Sequence, residues 1–336
     1  MAASKGARPP TIGDVAARAG VSPATVSRVM NGNTSVDEAL AQRVRAAATE
    51  LNYRASPLAR SLVLGKTNTI AVVVPDLENP TFQGVLRGLS RSAGHDGYHV
   101  LIADSAESIT DEQILAVETR RRCDGVVLCA PRMPESDLRA LLPELQPVVL
   151  VNRGADSSVP TIAADYRTAL RELLELLYDN GHRSLMFLAG APQSASNAAR
   201  LAALEEFRAA RPDARVDVVP CGVSFGDGYD AAGTVATGSS TGVLAFNDLV
   251  AMGLMSALGE LGVRVPQDVS VVGFDDIQFA RYTTPPLTTA SVPVAELGEQ
   301  AWLRMRDLLN SRRPARPLLF RPRIERRGST GPARTR

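Results

Sequence analysis

The 336-residue chain has few of the residues that mark secretion, a membrane or a metal site. Cysteine is scarce: Cys123, Cys129 and Cys221 form an odd set without CxxC spacing. They read as buried thiols of a reducing cytoplasm rather than a disulfide framework or a zinc site. The histidines His95, His99 and His182 lack metal-ligand spacing and read as surface groups or as groups behind a site. The longest aliphatic runs, Ile70–Val74 and Val148–Val151, fall far short of the roughly 20 residues needed to cross a bilayer. The opening MAASKGARPP has no apolar signal core, so a cytoplasmic chain without membrane contact is expected. No GxGxxG or GxxxxGK[ST] loop follows any apolar run, and the aspartates have no evident histidine or nucleophile partner. That speaks against a nucleotide-dependent α/β enzyme. No catalytic residue, metal or cofactor is expected.

What remains is ordinary in bulk and uneven in detail. At 45 % hydrophobic and 22 % charged residues the composition is that of a soluble globular protein. The length allows two or three domains at roughly 100–200 residues each. Net charge is only +1, yet residues 1–65 carry eight Lys and Arg against four Asp and Glu. A basic head on a mildly acidic body points the head at a polyanion.

The head reads as three short helices after a flexible tail, residues 1–10. Thr11 can N-cap the first helix, with Asp14 as capping-box partner, and Ile12, Val15, Ala16 and Ala19 share a face. Gly20 ends it, because glycine takes the left-handed C-cap conformation without steric cost. Ser22 caps a second helix with Pro23 at its first position, running to about Met30 and stopping at Asn31-Gly32. Val21, Val26 and Val29 face inward; Ala24, Thr25, Ser27 and Arg28 face out. Asp37 caps a third helix with Val44, Ala47, Ala48 and Leu51 inward. Together these make a helix-turn-helix unit over residues 11–55. Its outer face carries one long bidentate donor, Arg28, which suits guanine O6 and N7 in a major groove. Ser22, Thr25, Ser27 and Asn31 suit phosphate oxygens.

Residues 56–65 follow. Ser56 and Pro57 can open a helix in which Leu58, Ala59 and Leu62 share an apolar face. About eight residues cannot hold a helix alone, so the segment is either an ordinary linker or a helix that needs a partner.

From Lys66 the patterns alternate. TIAVVVP (69–75), YHVLIAD (98–104), DGVVLCA (124–130) and PVVLVN (147–152) read as strands buried on both faces, separated by helical stretches. SLMFLAG (184–190), TGVLAFN (241–247) and DVSVVGFD (268–275) repeat the cycle. Two successive sets predict two lobes of doubly wound parallel sheet, with a ligand crevice at the carboxyl ends of the strands. Polar residues gather at those ends around one aromatic ring, Phe82: Asp76, Asn79, Ser196, Arg200, Asn247 and Asp275. Such a set suits a polyhydroxylated ligand, and each strand-end Asp or Asn also reads as a helix N-cap. Asp248 and Asp276 read as caps or braces. Arg120-Arg121-Arg122 reads as a solvated helix end, Trp302 as part of a crossing helix, and RPRIERRGSTGPARTR as a loose basic tail without leucine heptads.

TIGDVAARAGVSPATVSRVMNG followed by VRAAATELNYRASPLARSL resembles the N-terminal signature of the LacI/GalR family of bacterial transcriptional repressors. VPDLENPTF, GHRSLMFLAG, FNDLVAMG, LGVRVPQDVSVVGFDD and PPLTT resemble the family's effector core, itself similar to periplasmic sugar-binding proteins. The resemblance implies base contacts at Pro23, Ala24 and Arg28. It also implies paired hinge helices with Ala59 and Leu62 in the minor groove, Leu62 wedged into the central base step. Effector contacts would be Asp76, Asn79, Phe82, Ser196, Arg200, Asn247 and Asp275. Asn152 and Tyr166 depart from the family's usual acid and asparagine and reshape the pocket.

The expected architecture is α/β: a helix-turn-helix domain, a hinge helix, and a two-lobed periplasmic-binding-protein-like core over residues 66–336. Its N-lobe would span about 66–162 plus 292–318, its C-lobe about 163–291 plus 319–330. The expected function is a homodimeric DNA-binding repressor on a pseudo-palindromic operator, controlled by a small-molecule effector, a sugar or sugar derivative. The rival, a sugar-binding transport protein of the same core fold, would have no helix-turn-helix.

Overall fold

The structure, a computed structural model, describes residues 8, 10–30, 36–53, 65–153, 159–312 and 316–334. It divides into two compact units, residues 1–67 and 68–336.

In the first unit three helices form where the local code places them: α1 (Ile12–Ala19), α2 (Pro23–Met30) and α3 (Glu38–Glu50). Thr11 and Asp14 close a capping box at the start of α1, and Gly20 ends it at φ 64°. The Arg43 guanidinium donates to the carbonyl of Ala19 at 2.5 Å, so α3 neutralises an orphan acceptor at the negative end of α1. Val15, Val26 and Val44, one from each helix, are fully buried at the centre of the bundle. Arg8, at the end of the expected tail, forms an ion pair with Asp14 at 2.9 Å.

The second unit holds two six-stranded sheets. The first lobe contains β1 (Thr69–Val74), α4 (Pro80–His95), β2 (His99–Asp104), α5 (Ile109–Arg120), β3 (Gly125–Cys129), α6 (Glu135–Leu141), β4 (Val148–Val151) and β5 (Thr161–Ala164). The second contains α7 (Tyr166–Asp179), β6 (Ser184–Ala189), α8 (Ala195–Ala210), β7 (Arg215–Pro220), α9 (Phe225–Asp230), α10 (Ala232–Thr237), β8 (Gly242–Ala245), α11 (Asp248–Glu260), β9 (Ser270–Asp275) and β10 (Thr288–Ser291). The chain then returns to the first lobe for α12 (Val294–Leu309) and β11 (Leu318–Phe320), and crosses back for β12 (Arg323–Glu325). Strand order is β11-β5-β4-β3-β1-β2 in one sheet and β12-β10-β9-β8-β6-β7 in the other. All described pairings are parallel except β10 with β12. Both sheets are doubly wound, with the β1–β3 and β6–β8 neighbours marking the switch points where such sheets bind ligands.

Several sequence expectations need correction. Strand β2 is not buried on both faces: Leu101 and Ile102 are 39 % and 46 % exposed, because β2 is the edge of its sheet. The lobe changes fall slightly later than expected, with Ala163, Ala164, Leu319 and Phe320 still paired in the first sheet. The C-terminal stretch is not a loose tail up to its last described residues. Residues 323–325 pair with β10, Arg327 bridges Asp276, and Ser329 is fully buried between Thr288 N and Val271 O. His182 is buried rather than superficial, held between Thr241 Oγ1 and the carbonyl of Gly331. Arg120 spends its guanidinium on the carbonyls of Gln146 and Cys123, while Arg121 and Arg122 do stand in solvent. Trp302 belongs to the first lobe, on α12 packed across α4, where its indole donates to Asp96 at 2.7 Å. These helices cross at backbone contact: a Cβ on Gly88 would lie 2.0 Å from the carbonyl oxygen of Ala295.

Candidate DNA-reading surface and interlobe cleft

On the first unit the sequence separates α2 into two faces, and the structure keeps them apart. Val26 and Val29 are buried, whereas Pro23, Ala24 and Arg28 are exposed. Ser22 accepts the N–H of Thr25 at 3.2 Å and lies 2.9 Å from its hydroxyl, so both groups organise the helix start. With no amide on Pro23 and the Thr25 amide taken by Ser22, the N-terminus of α2 presents chiefly small hydroxyls at the positive end of a helix, an arrangement that suits a phosphate oxygen. Ser27 is half-buried on the same helix. Asn31, Ala59 and Leu62 lie outside the described residues.

In the second unit the polar strand ends face one another across the lobes. Asn79 N-caps α4, accepting from Thr81 N at 2.9 Å, and the Thr81 hydroxyl donates to Asp275 Oδ2 at 2.8 Å. That bond ties the first lobe to the second at the mouth of β9. Burial pushes the Asp275 carboxyl up to about 6, with Arg200 and Thr81 pulling the other way.

Arg200, on α8, is 1 % exposed, and its Nε and Nη1 have no hydrogen-bond partner. Its guanidinium carbon lies 4.1 Å from the ring centre of Phe274, 4.5 Å from Phe246 and 4.6 Å from Tyr166. The rings supply cation–π attraction but no acceptor. Burial lowers this guanidinium to about 10 while Asp275 opposes the shift. Two buried donors left unpaired cost free energy unless an acceptor arrives.

The opposite wall is already satisfied. Arg132 makes a bidentate pair with Glu107 at 2.6 and 2.8 Å and donates to the carbonyl of Ala130. Behind it the buried Glu112 carboxylate accepts from the amides of Arg132 and Met133. Burial raises Glu112, and these amides hold it back. Ala130, Asn152 and Asp275 all sit at positive φ, 47°, 53° and 106°, a strained conformation for residues with a Cβ.

Of the expected effector residues, Asn79, Phe82, Ser196, Arg200 and Asp275 line one cavity, together with Asn152 and Tyr166. Asp76 and Asn247 do not. Asp76 accepts from Glu78 N, and burial raises its pKa, with Asp104, Glu107 and Glu78 adding repulsion. Asn247 is spent on backbone, capping α11 at Val250 N and donating to the carbonyl of Val223. Asp248 braces β10 and the loop after β9 by accepting from Thr289 Oγ1 and Ile277 N, its carboxyl raised well above the usual range by burial. Sequence reasoning missed Thr81, Glu107, Arg132 and Phe246. Phe246 closes an apolar run already read as a strand, and Glu107 and Arg132 follow β2 and β3, so the strand-end rule was the available signal.

Residues 11–56 match the family described as bacterial regulatory proteins, lacI family, and residues 174–330 match a periplasmic binding protein-like domain. The chain is 32 % identical over 316 residues to the HTH-type transcriptional repressor CytR of Escherichia coli (strain K12), covering 91 % of this chain and 92 % of that protein. It is 32 % identical over 343 residues to the repressor PurR of Salmonella paratyphi B, covering 96 % and 98 %. A Lac repressor dimer bound to operator and the anti-inducer ONPF superposes with TM-score 0.87 at 25 % identity, over 96 % of this chain and 100 % of that one. A regulator CelR in complex with cellobiose superposes at 0.67 and 26 % identity, over 95 % and 99 %. With a helix-turn-helix head, a bilobed core and full-length relatives of this kind, the chain belongs to the lacI family and is a DNA-binding transcriptional regulator.

Proposed function

We propose that this chain is a cytoplasmic, homodimeric repressor whose grip on a pseudo-palindromic operator is set by a polyhydroxylated small molecule in the interlobe cleft. Arg200 carries the effector half of this reading: two fully buried guanidinium donors without partners, beside a buried carboxylate, call for a ligand that both accepts and donates hydrogen bonds. The carbohydrate in the CelR complex is a ligand of that chemistry.

Arg28 reads a guanine edge, Pro23 and Ala24 give apolar contact to bases, and Ser22, Thr25, Ser27 and Asn31 hold phosphates. Ala59 and Leu62 of each copy meet in the minor groove, where the wedge gains contact at the cost of unstacking one step. Two half-sites and a paired hinge require two-fold symmetry, hence the dimer. An effector that takes Arg200 and Asp275 displaces the Thr81–Asp275 bond and so changes the angle between the lobes. That angle decides whether the two hinges can pair. The chain acts by binding, not turnover.

The test is selection of genomic fragments by the purified full chain, followed by operator titration with and without a sugar panel. A preferred fragment is expected, with affinity shifted about 5- to 150-fold by the matching sugar. No preference over scrambled DNA at moderate salt, with or without sugars, refutes the reading.

A further inference from the structure

Past β12 the chain runs back along the second lobe as a strap, residues 326–334. Ser329, fully buried, is its central peg. Its hydroxyl accepts from Thr288 N at 2.8 Å and donates to the carbonyl of Val271 at 2.6 Å. Its amide donates to the carbonyl of Pro286, and its own carbonyl accepts from Val271 N. The peg fills the gap where β9 and β10 diverge, since their pairing begins only at Val272 and Thr288. Further on, Nε2 of His182 lies 3.1 Å from the carbonyl of Gly331, and the amide of Ala333 donates to the carbonyl of Asn180, just past α7. These bonds fasten the strap to the body of the lobe. Arg327, near its start, reaches instead toward the mouth of the cleft.

Arg327 places Nη2 on the Asp276 carboxylate at 2.5 Å and Nη1 on the carbonyl of Leu287 at 2.9 Å, and its amide donates to Thr288 Oγ1. Both side chains of the ion pair are largely withdrawn from water, at 15 % and 12 % exposure, so salt screens it little. Asp276 is the second of two successive left-handed residues, with φ 106° at Asp275 and 58° at Asp276. Residues with a Cβ keep such a conformation only where their surroundings over-determine it. Here three side chains do so: Thr81 on the Asp275 carboxylate, Asp248 on the amide of Ile277, and Arg327 on Asp276. One carboxylate of the turn is thus held by the first lobe and the next by the strap.

We infer that Arg327 is a positioning residue for the junction of the two lobes. By clamping Asp276 it fixes the left-handed turn, and with it the placement of the Asp275 carboxylate against Thr81. The strap therefore governs whether the lobes are joined at the end of β9. It follows directly on β11 and β12, the last passage of the chain from the first sheet to the second, and so links that passage to the turn. This role is independent of what the cleft binds.

The proton of Asp275 provides the readout. Facing its carboxyl are Thr81 from α4, Tyr166 from α7, Arg200 from α8 and Asp248 from α11, with Asp276 next in the chain. Held there, the carboxyl is pushed up to about 6 by burial, so the stabilisation by Asp275→Asn should grow about tenfold in the unfolding constant from pH 5 to pH 7.5. In an Arg327→Gln background the turn relaxes, the carboxylate regains water, and this growth should fall below about twofold. Ser329→Ala damages the strap without touching Asp276; it should lower stability equally at both pH values and leave the growth intact. Should Arg327→Gln not fold, Arg327→Lys keeps the charge but loses the two-pronged grip, and should hold the growth to about three- to fivefold. Urea unfolding of the full chain, followed by Trp302 fluorescence, gives every constant. Undiminished growth in Arg327→Gln, or in Arg327→Lys where only that variant folds, overturns the proposal, and so does its loss in Ser329→Ala.

Discussion

Replacing Asp275 by Asn should stabilise the core unit at neutral pH while destroying effector binding. The carboxyl is pushed up to about 6 by burial, against 3.8 in the unfolded chain. The folded state therefore holds this proton more tightly than the unfolded state. Its contribution to stability is highest below pH 3.8, declines as pH rises, and levels off above pH 6. A gap of about two pKa units amounts to about 3 kcal/mol lost at pH 7.5, and about half of that at pH 5. Asparagine mimics the neutral acid and can still accept from Thr81, so the variant should be more stable by these amounts. The gain at pH 7.5 corresponds to roughly 5–10 °C in Tm for a unit of this size. Trp302, the one tryptophan of the chain, is buried in this unit, so its fluorescence reports the transition without interference from the head. Urea or thermal unfolding of both proteins between pH 4.5 and 8 gives the difference directly. A difference that does not grow with pH, or a variant less stable at pH 7.5, would refute the account of Asp275 as a buried charge kept for its ligand.

Arg28→Ala should cost about 1–3 kcal/mol of operator affinity and relax preference at one base pair per half-site; equal loss on random DNA in the same titration contradicts base reading. Leu62→Ala should lower operator bending in a circular-permutation gel assay, and an unchanged bend removes its wedge role. Gly88→Ala should destabilise the core by about 1–3 kcal/mol or more, since the new methyl meets the backbone of Ala295 at 2.0 Å. Its control is Gly94→Ala on the same helix, where no atom lies within 4 Å and unfolding should be unchanged or slightly harder.

Much of the fold was legible because its signals are local. A capping box at Thr11 and Asp14, glycine at position 20 and apolar runs of four to six residues act within one turn or one strand. Five strands were missed: β5, β10, β11 and β12 have three or four residues each, too short for a pattern to stand out, and β7 has six, RVDVVP, at a sheet edge where the apolar run is broken by Asp217. They exist because a sheet edge elsewhere in the chain offers its hydrogen bonds. The cleft was half legible for a related reason. Asn79 and Asn247 have the same local signature, an N-cap after an apolar run, and both do cap helices. Only the first also borders the cavity, whereas the second turns its remaining amide to Val223.

Helix starts and stops, strand runs, the polar outer face of α2 and the family signature follow from residues a few positions apart, so the sequence alone determined them. Tertiary structure decided which groups meet. Thr81 reaches Asp275 from 194 residues away, Ser329 threads into β9 and β10, and Arg200 is enclosed by three rings that leave two of its donors unpaired. Those outcomes depend on how the two lobes meet and how the chain crosses between them. No spacing along the chain encodes the distance between such groups, and that distance sets their charge, their strain and their use.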